Sequence, residues 1–285
     1  FIQFVSYSTM LLNINIFIIH IFFLTVIDKH IKQRKILKGK CWRVDVIGTI
    51  SMITGGPLGQ NIYKFEQFHC HWGCCDYQGS EHTVNGFSYS GELHLVHWNA
   101  TKYKTFIDAT SASDGLAVLG IFLKTGSKHD EISKITELLH LVVHKGDRIT
   151  LPNLCDPGKL LPYNKSYWTY EGSLTTPPCS ESVTWMIFKT PIEVSKEQLQ
   201  AMRNLNSFEF KEEFPHDDSN GKVKYNFRPP RPLGSREVKY IELGITYELI
   251  CCFFFFKRIT ITKMLIFHII CINLPQVNGK AKKNY

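Results

Sequence analysis

The chain has 285 residues, of which 44% are hydrophobic and 20% are charged, enough apolar material for one large globular domain. Its formal net charge of +8 arises from two basic segments without acidic residues, 29–43 and 257–285. Residues 44–256 carry 20 basic and 24 acidic side chains, so composition gives no reason to expect a nucleic-acid partner.

The first 38 residues differ in composition from the middle of the chain. An apolar stretch, residues 11–27, is just long enough for a membrane anchor, although Asn13, Asn15 and His20 interrupt it. We interpret residues 1–38 as a translated non-coding stretch or gene-model artefact, with a genuine anchor and a divergent N-terminal arm as the alternatives.

The middle of the chain shows the regular patterns of a sheet-rich domain. A continuous apolar run over residues 116–123 predicts a strand buried on both faces. Apolar residues at helical spacing predict a surface helix over residues 129–141, and Ser195 with Gln198 predicts a capping box at the start of a second helix that ends near Arg203. The other predicted strands are residues 41–46, 62–72, 87–98, 182–188, 222–228 and 238–243.

Two histidines, His69 and His71, are one residue apart in the predicted strand of residues 62–72. Side chains alternate along a strand, so both histidines project from one face and Cys70 between them projects from the other. A third histidine, His94, lies in the next predicted strand. Three neutral imidazoles on adjacent strands can hold zinc and leave a fourth coordination position for water.

Two polar residues share the spacing of these histidines. Gln67 has the parity of His69, and Glu92 has the parity of His94, so each can accept a hydrogen bond from a non-ligating ring nitrogen. Two histidines at this spacing are by themselves more often ordinary buried or edge residues than metal ligands. The interpretation therefore depends on longer motifs.

Three longer motifs follow in order: Glu81-His82-Thr83-Val84, Glu92-Leu93-His94-Leu95-Val96-His97-Trp98-Asn99 and Gly172-Ser173-Leu174-Thr175-Thr176-Pro177-Pro178. With these motifs the chain resembles the α-class carbonic anhydrases, over residues 39–243. The resemblance implies one mainly β (α+β) domain, with a large twisted, mostly antiparallel sheet and a few surface helices. Residues 1–38 and 244–285 would be flanks outside this domain.

The resemblance also implies an activity, a cofactor and partners. It indicates the zinc-dependent, reversible hydration of carbon dioxide to bicarbonate and a proton, with a side activity on activated esters. The implied cofactor is Zn2+ and the implied zinc ligands are His69, His71 and His94. The implied partner is the small-molecule substrate alone, for a cytoplasmic monomer, with a membrane attachment only if residues 11–27 are an anchor.

The resemblance assigns further roles by position. Thr175 would accept a hydrogen bond from the attacking hydroxide and donate its own hydroxyl hydrogen bond to Glu81, while Thr176 would contact bicarbonate. Lys40 occupies the position where fast family members carry a proton-shuttle histidine. His82 and His97 would be structural, and so would Asn226 and Arg228. The apolar wall for carbon dioxide would be Val96, Val118, Leu174, Val183 and Trp185.

Two other functional interpretations stay open at this stage. One is a catalytically silent, carbonic-anhydrase-like binding module, and the other is a truncated product that does not fold without the N-terminal arm of the family. The nine cysteines form no C-x-x-C pair and are odd in number, which suits a reducing compartment better than a disulfide framework.

Overall fold

The computed structural model describes residues 3–4, 32–37, 41–48, 51–153 and 155–242. These residues confirm the predicted fold class, because strands dominate and helices are short. The strands are β1 (Gln3–Phe4), β2 (Lys32–Leu37), β3 (Trp42–Ile47), β4 (Met52–Ile53), β5 (Tyr63–Trp72), β6 (Thr83–Val84), β7 (Gly91–Asn99), β8 (Leu116–Thr125), β9 (Arg148–Thr150), β10 (Tyr167–Gly172), β11 (Val183–Val194) and β12 (Lys239–Ile241).

Ten of the strands form one sheet in the order β12-β10-β11-β8-β7-β5-β3-β2-β9, with β4 paired to the start of β5. Only β8 and β11 run parallel in this sheet, and its other described pairs are antiparallel, as predicted. Strands β1 and β6 form a separate two-stranded parallel sheet. All described residues belong to one compact unit, Phe1–Glu242.

Strand β8 lies at the centre of the sheet, between β7 and β11. Its first eight residues, 116–123, are all buried, which confirms the strand covered on both faces. Strand β10 was not predicted from the sequence, and burial on both of its faces is again the cause. Its first four residues are all buried, so it lacks the alternation that identifies a half-buried strand.

The helices are α1 (Phe106–Ala109), α2 (Asp130–Thr136) and α3 (Lys196–Arg203). Ser195 and Gln198 form the predicted capping box at α3. The helix predicted over residues 129–141 is shorter than expected, because after α2 the backbone tightens into i to i−3 hydrogen bonds and a separate 3-10 turn, Leu139–Leu141. Further 3-10 turns are Gly56–Leu58 and Pro157–Leu160.

The strand predicted over residues 222–228 is wrong. These residues form no ladder. Their only described bridge is the isolated pair Asn206 and Lys222. Instead, their backbone groups bond singly to other segments: Val223 N–H donates to the Leu205 carbonyl and Asn226 N–H to the Trp72 carbonyl. The segment is therefore not a strand, but it stabilises the end of β5 through single hydrogen bonds.

The N-terminal segment contributes to the sheet through β2, which pairs with β3 and β9. The rest of residues 1–38 lies almost wholly outside the described residues, as does the tail from residue 243, so the predicted domain limits stay predictions. Among the described residues, no helix is long and apolar enough to cross a membrane. The apolar stretch of residues 11–27 is not among them.

Candidate metal centre

The pairing of β5 with β7 brings the three predicted ligands together. His69 lies directly opposite His94 in the register, and His71 lies two residues further along on the same face of β5. The ring centroids are 5.0 Å apart for His69 and His71, 5.2 Å for His69 and His94, and 4.6 Å for His71 and His94. The three imidazoles therefore surround one small volume, with one ligating atom from each lying within 4.8 Å of the others.

Two of the imidazoles are oriented by the partners that the spacing predicted. The Nδ1–H of His69 donates to Gln67 Oε1 at 2.9 Å, and the Nε2–H of His94 donates to Glu92 Oε1 at 2.7 Å. A carbonyl or carboxylate oxygen can only accept, so each bond fixes the ring proton on that nitrogen. The lone pair of the opposite nitrogen, Nε2 of His69 and Nδ1 of His94, is left to serve as a ligand.

The third imidazole is oriented from a distant part of the chain. His71 Nδ1–H donates to the backbone carbonyl of Asn226 at 2.8 Å. The other nitrogen of His71, Nε2, is buried and has no hydrogen-bond partner in the described part of the chain. A buried polar atom without a partner is costly, which indicates a ligand at this point. The donor set of three neutral nitrogens, one of them unpaired, fits zinc.

Burial favours the neutral form of the His69 and His71 rings. It is the largest cause of the lowered pKa of both His69 and His71, and the neighbouring ring of His94 lowers each further. Neutral imidazole is the form that binds a metal ion, because protonation would occupy the lone pair. The electrostatics of the cluster therefore agree with its geometry.

Glu92 links the His94 ring to a chain of buried hydrogen bonds that leads through His82 to Tyr170. Its carboxylate accepts from His82 Nδ1 at 2.6 Å and from the His82 backbone N–H at 2.9 Å, in addition to His94. His82 Nε2 then bonds the Tyr170 hydroxyl at 2.6 Å. Burial alone would raise the pKa of Glu92, but the interactions with His82 and His94 outweigh it and hold the pKa well below its usual range.

A second group, His82, Glu92 and His94, also has potential metal-binding atoms within 4.8 Å of one another. Its distances are those of hydrogen bonds between the two rings and the carboxylate, so it supports the three-histidine cluster rather than forming a second metal site. Gly120, opposite His94 in β8, leaves room for this arrangement. A Cβ there would lie 2.5 Å from Ile187 Cδ1 and 3.1 Å from Glu92 Oε1.

Comparison with known proteins decides the family. Residues 20–242 match the model of the eukaryotic-type carbonic anhydrases. The chain belongs to this family. The match includes the motif region and begins upstream of Gly39, the predicted start of the resemblance.

Individual relatives agree with this assignment. The chain is 49% identical over 189 residues to carbonic anhydrase 7 of Homo sapiens, covering 66% of this chain and 69% of that protein. It is 49% identical over 190 residues to the mitochondrial carbonic anhydrase 5A of Rattus norvegicus, covering 66% and 60%. It is 46% identical over 189 residues to carbonic anhydrase 1 of Oryctolagus cuniculus, covering 66% and 77%. These relationships support the predicted enzyme class, a carbonic anhydrase lyase.

The apolar residues predicted from the family form one cluster beside the histidines. Val96 lies opposite Val118 in the register, and Val118 lies opposite Trp185, so the three form a row across β7, β8 and β11. Val183 belongs to the same cluster, and Leu174 packs against it half-buried. The centroid of the Trp185 ring lies 4.8 Å from that of the His94 ring, so this apolar surface adjoins the His94 imidazole.

Glu81, the carboxylate that the resemblance assigns to the site, is buried. Its Oε1 accepts from the Arg228 backbone N–H at 2.7 Å and lies 3.3 Å from His71 Nδ1. Its Oε2 lies 3.9 Å from His94 Nδ1 and has no hydrogen-bond partner among the described residues. The expected hydrogen bond from Thr175 to Glu81 is therefore not formed in this structure.

The other residues that the resemblance singled out differ in their burial. Thr175 is half-buried and Thr176 is exposed, in the loop between β10 and β11. Lys40 lies outside the described residues, so its position at the predicted shuttle site stays a prediction. His82 and His97 are buried, as expected for structural histidines.

Two contributions to the centre were missed by sequence reasoning. The Asn226 carbonyl orients His71 across 155 residues of sequence, and the Tyr170 hydroxyl ends the Glu92 chain across 88 residues from His82. The sequence marked Asn226 only as a structural position. A backbone carbonyl leaves no signature in the residue type, so no pattern identified this bond.

Proposed function

We propose that this chain catalyses the zinc-dependent, reversible hydration of carbon dioxide to bicarbonate and a proton, with His69, His71 and His94 as the zinc ligands. The observation that carries the proposal is the buried Nε2 of His71, which has no partner among the described residues. Each of the three imidazoles is hydrogen-bonded through one nitrogen only, namely His69 Nδ1, His71 Nδ1 and His94 Nε2. A bound zinc ion supplies a water activated at neutral pH, an effect of which carbonic anhydrase is itself the standard example.

The residues around the histidines supply orientation. Gln67, Glu92 and the Asn226 carbonyl each hold one ring so that its free lone pair faces the common volume. Such partners fix the ring tautomer and limit ring rotation. The three ligands thus need little rearrangement when the ion binds.

We assign Thr175 and Glu81 to the orientation of the attacking water. Glu81 Oε2 is a buried acceptor without a donor, so a hydroxyl placed beside it gains a hydrogen bond that the site lacks. Thr175 donates a hydrogen bond to this oxygen, and its own oxygen accepts a hydrogen bond from the water. A lone pair of the water is thereby directed toward the substrate.

Carbon dioxide is small and apolar, so its subsite is the wall of Val96, Val118, Leu174, Val183 and Trp185. Thr176, exposed at the loop, contacts bicarbonate as the product leaves. An activated ester presents a similar carbonyl carbon to the same water, which accounts for the proposed side esterase activity.

The decisive experiment combines zinc analysis with a hydration assay on the purified full chain. We expect one zinc per chain, catalysed carbon dioxide hydration in stopped flow with a pH indicator, and loss and recovery of activity on chelation and zinc addition. Zinc without hydration would support the silent binding module. Absence of a cooperative thermal transition would support the truncated, non-folding product.

Lys40 gives the proposal a kinetic signature. An unperturbed lysine has a pKa of about 10.4 and retains its proton at neutral pH, whereas histidine exchanges protons close to the working pH. We expect proton export to limit kcat, so that added imidazole buffer raises it and Lys40→His raises it several-fold at low buffer. A wild-type kcat that does not depend on buffer concentration and equals the kcat of Lys40→His would contradict a limit set by proton export.

For the cellular location we propose the cytoplasm, with a membrane tether through residues 11–27 as the alternative. Among the described cysteines, Cys70, Cys74, Cys75 and Cys179 are free thiols, and this supports a reducing compartment. Relatives include a protein named mitochondrial, so the compartment needs its own test. Fractionation of cells expressing the full chain should place it in the soluble fraction, and sedimentation should show a monomer.

A further inference from the structure

Two of the three Asn-Gly pairs in the sequence, Asn85-Gly86 and Asn220-Gly221, lie within the described residues. An asparagine followed by glycine can react with its own backbone, because glycine has no side chain beside the nitrogen that approaches the asparagine amide carbon. Both asparagines are exposed, and both have left-handed backbone conformation, with φ of 51° for Asn85 and 49° for Asn220. The two pairs differ in the contacts of the glycine nitrogen.

The Asn85-Gly86 pair forms the tip of a tight hairpin. Val84 N–H donates to the Phe87 carbonyl at 3.0 Å, and Phe87 N–H donates to the Val84 carbonyl at 2.9 Å. Both residues of the tip have positive φ, as in the two-residue turns that favour Asn-Gly. In the part of the chain that the structure describes, the Gly86 N–H has no hydrogen-bond partner. A Cβ built at Gly86 would meet no atom within 4 Å beyond its chain neighbours, so open space surrounds the tip.

The Asn220-Gly221 pair is held by hydrogen bonds and by packing. Gly221 N–H donates to Asp217 Oδ1 at 3.0 Å, and Asn220 N–H donates to the Asp217 carbonyl at 2.9 Å. Gly221 is buried, and a Cβ built on it would lie only 2.6 Å from Phe208 Cε1. Attack by the Gly221 nitrogen would require the loss of its hydrogen bond within a crowded turn. The structure therefore distinguishes two pairs that are equivalent in the sequence.

We propose that Asn85 is a site of spontaneous deamidation, and that the isoaspartyl product opens the tip of its hairpin. The Gly86 nitrogen loses its proton to a base in the solvent and attacks Cγ of Asn85. A bond forms between this nitrogen and Cγ, the bond from Cγ to the side-chain nitrogen breaks, and ammonia leaves with a proton from the solvent. Water then opens the cyclic imide at either carbonyl carbon, which yields aspartate or isoaspartate. The reaction consumes only water and involves no oxidation or reduction.

Isoaspartate lengthens the main chain by one carbon atom, because the former side-chain carboxyl becomes part of the backbone. The turn between Val84 and Phe87 then loses its two-residue geometry, so the two hydrogen bonds across it weaken. The base of the hairpin is held independently of the tip. Tyr89 N–H donates to Ser80 Oγ at 2.9 Å, and Ser80 N–H donates to the Tyr89 carbonyl at 3.2 Å. We therefore expect the hairpin to loosen at its tip and not at its base.

The site is tested by incubating the purified full chain, with zinc present, in mildly alkaline buffer and mapping the two pairs by mass spectrometry. We expect deamidation at Asn85 roughly tenfold faster than at Asn220, because the Gly221 nitrogen must first give up its hydrogen bond. Asp217→Ala removes that bond and should raise the Asn220 rate several-fold, while Asn220→Gln is the matched control that leaves the Asn85 rate unchanged. An Asn220 rate equal to or above that of Asn85 would overturn the site, and an unchanged Asn220 rate in Asp217→Ala would contradict the protection by Asp217.

The opening of the hairpin is tested by hydrogen exchange on the isoaspartyl fraction, separated from the unmodified protein by chromatography. We expect several-fold faster exchange of the Phe87 amide than in unmodified protein, with the Tyr89 amide unchanged as an internal control. Unchanged Phe87 exchange would overturn the opening of the tip, and equally accelerated Tyr89 exchange would overturn its confinement to the tip. Neither readout depends on zinc binding or on activity, so failure of the proposed function would be seen separately.

Discussion

Strands β5 and β7 present two faces made of alternate residues of the same two segments, and both faces are largely buried. On one face, apolar residues such as Phe68, Leu93 and Leu95 pack against one another. On the other, His71 and Glu92 are equally buried but polar. The difference between the faces is one of hydrogen bonding. The apolar face is filled by its own side chains, whereas on the polar face His71 Nε2 has no partner within the portion of the chain that the structure describes.

This comparison indicates how a stable sheet can carry a metal centre. The apolar face supplies stability through burial, and the polar face holds pre-oriented ligands whose free atoms do not satisfy one another. Substitutions on the two faces should therefore have separable effects, on folding for one and on zinc for the other.

The largest effect is expected for His94→Ala. Removing one of three nitrogens should abolish stoichiometric zinc binding and reduce carbon dioxide hydration to background, because two imidazoles cannot hold the ion in the same geometry. Zinc content and stopped-flow hydration provide the measurement. His216→Ala, at an exposed histidine outside the centre, is the control and should retain both properties. Full hydration activity in His94→Ala would rule out the proposed ligand set.

On the apolar face, Phe68→Ala should lower the free energy of unfolding by about 3–5 kcal/mol, because it leaves a cavity where a fully buried ring packed. Urea unfolding monitored by tryptophan fluorescence measures this. The folded fraction should still bind one zinc. Phe87→Ala removes the same ring from a side chain that is 77% exposed and should change the free energy by less than about 0.5 kcal/mol.

On the polar face, Gln67→Leu should weaken zinc binding roughly 10–100-fold, because the Nδ1–H of His69 loses the acceptor that fixes its tautomer. Competition with a chromophoric chelator measures the affinity. The matched variant Gln200→Leu alters an exposed glutamine on α3 and should leave the affinity unchanged. Equal affinities in the two variants would show that Gln67 does not orient the ligand.

His97 lies three residues after His94 on the opposite face and should affect acid stability. Burial lowers the pKa of His97 from 6.5 to about 4. Between these values the unfolded chain binds a proton that the folded chain does not, so stability falls as the pH falls through this window. From pH 6.5 to pH 5 the loss from this group is about 2 kcal/mol.

His97→Gln should remove this contribution and give a correspondingly shallower decline of unfolding free energy with pH, measured by urea unfolding of zinc-loaded protein. His144→Gln, at a half-buried histidine outside the β5–β7 pair, serves as the control. Identical pH profiles for wild type and His97→Gln would contradict a neutral, buried His97.

Much of the centre followed from local rules. The i, i+2 spacing of His69 and His71 assigned their face, and the same parity identified Gln67 as a partner, because side chains alternate along any strand. The capping box of α3 was equally local, since it joins residues three positions apart. The wrong strand prediction, by contrast, depends on contacts between segments far apart in the sequence. Residues 222–228 have strand-like composition, but their backbone groups bond to two separate segments instead of one neighbouring strand.

The sequence by itself determined which residues could be ligands, which face each occupied and which family the fold should follow. Only the tertiary structure decided that the Asn226 carbonyl holds His71, that Tyr170 ends the chain through His82, and that Glu81 keeps one oxygen unpaired. Local patterns encode side-chain direction, because the backbone period is fixed within each strand. Hydrogen bonds to backbone carbonyls and to distant side chains form only when the strands pair, and the residue types in the sequence do not predict them.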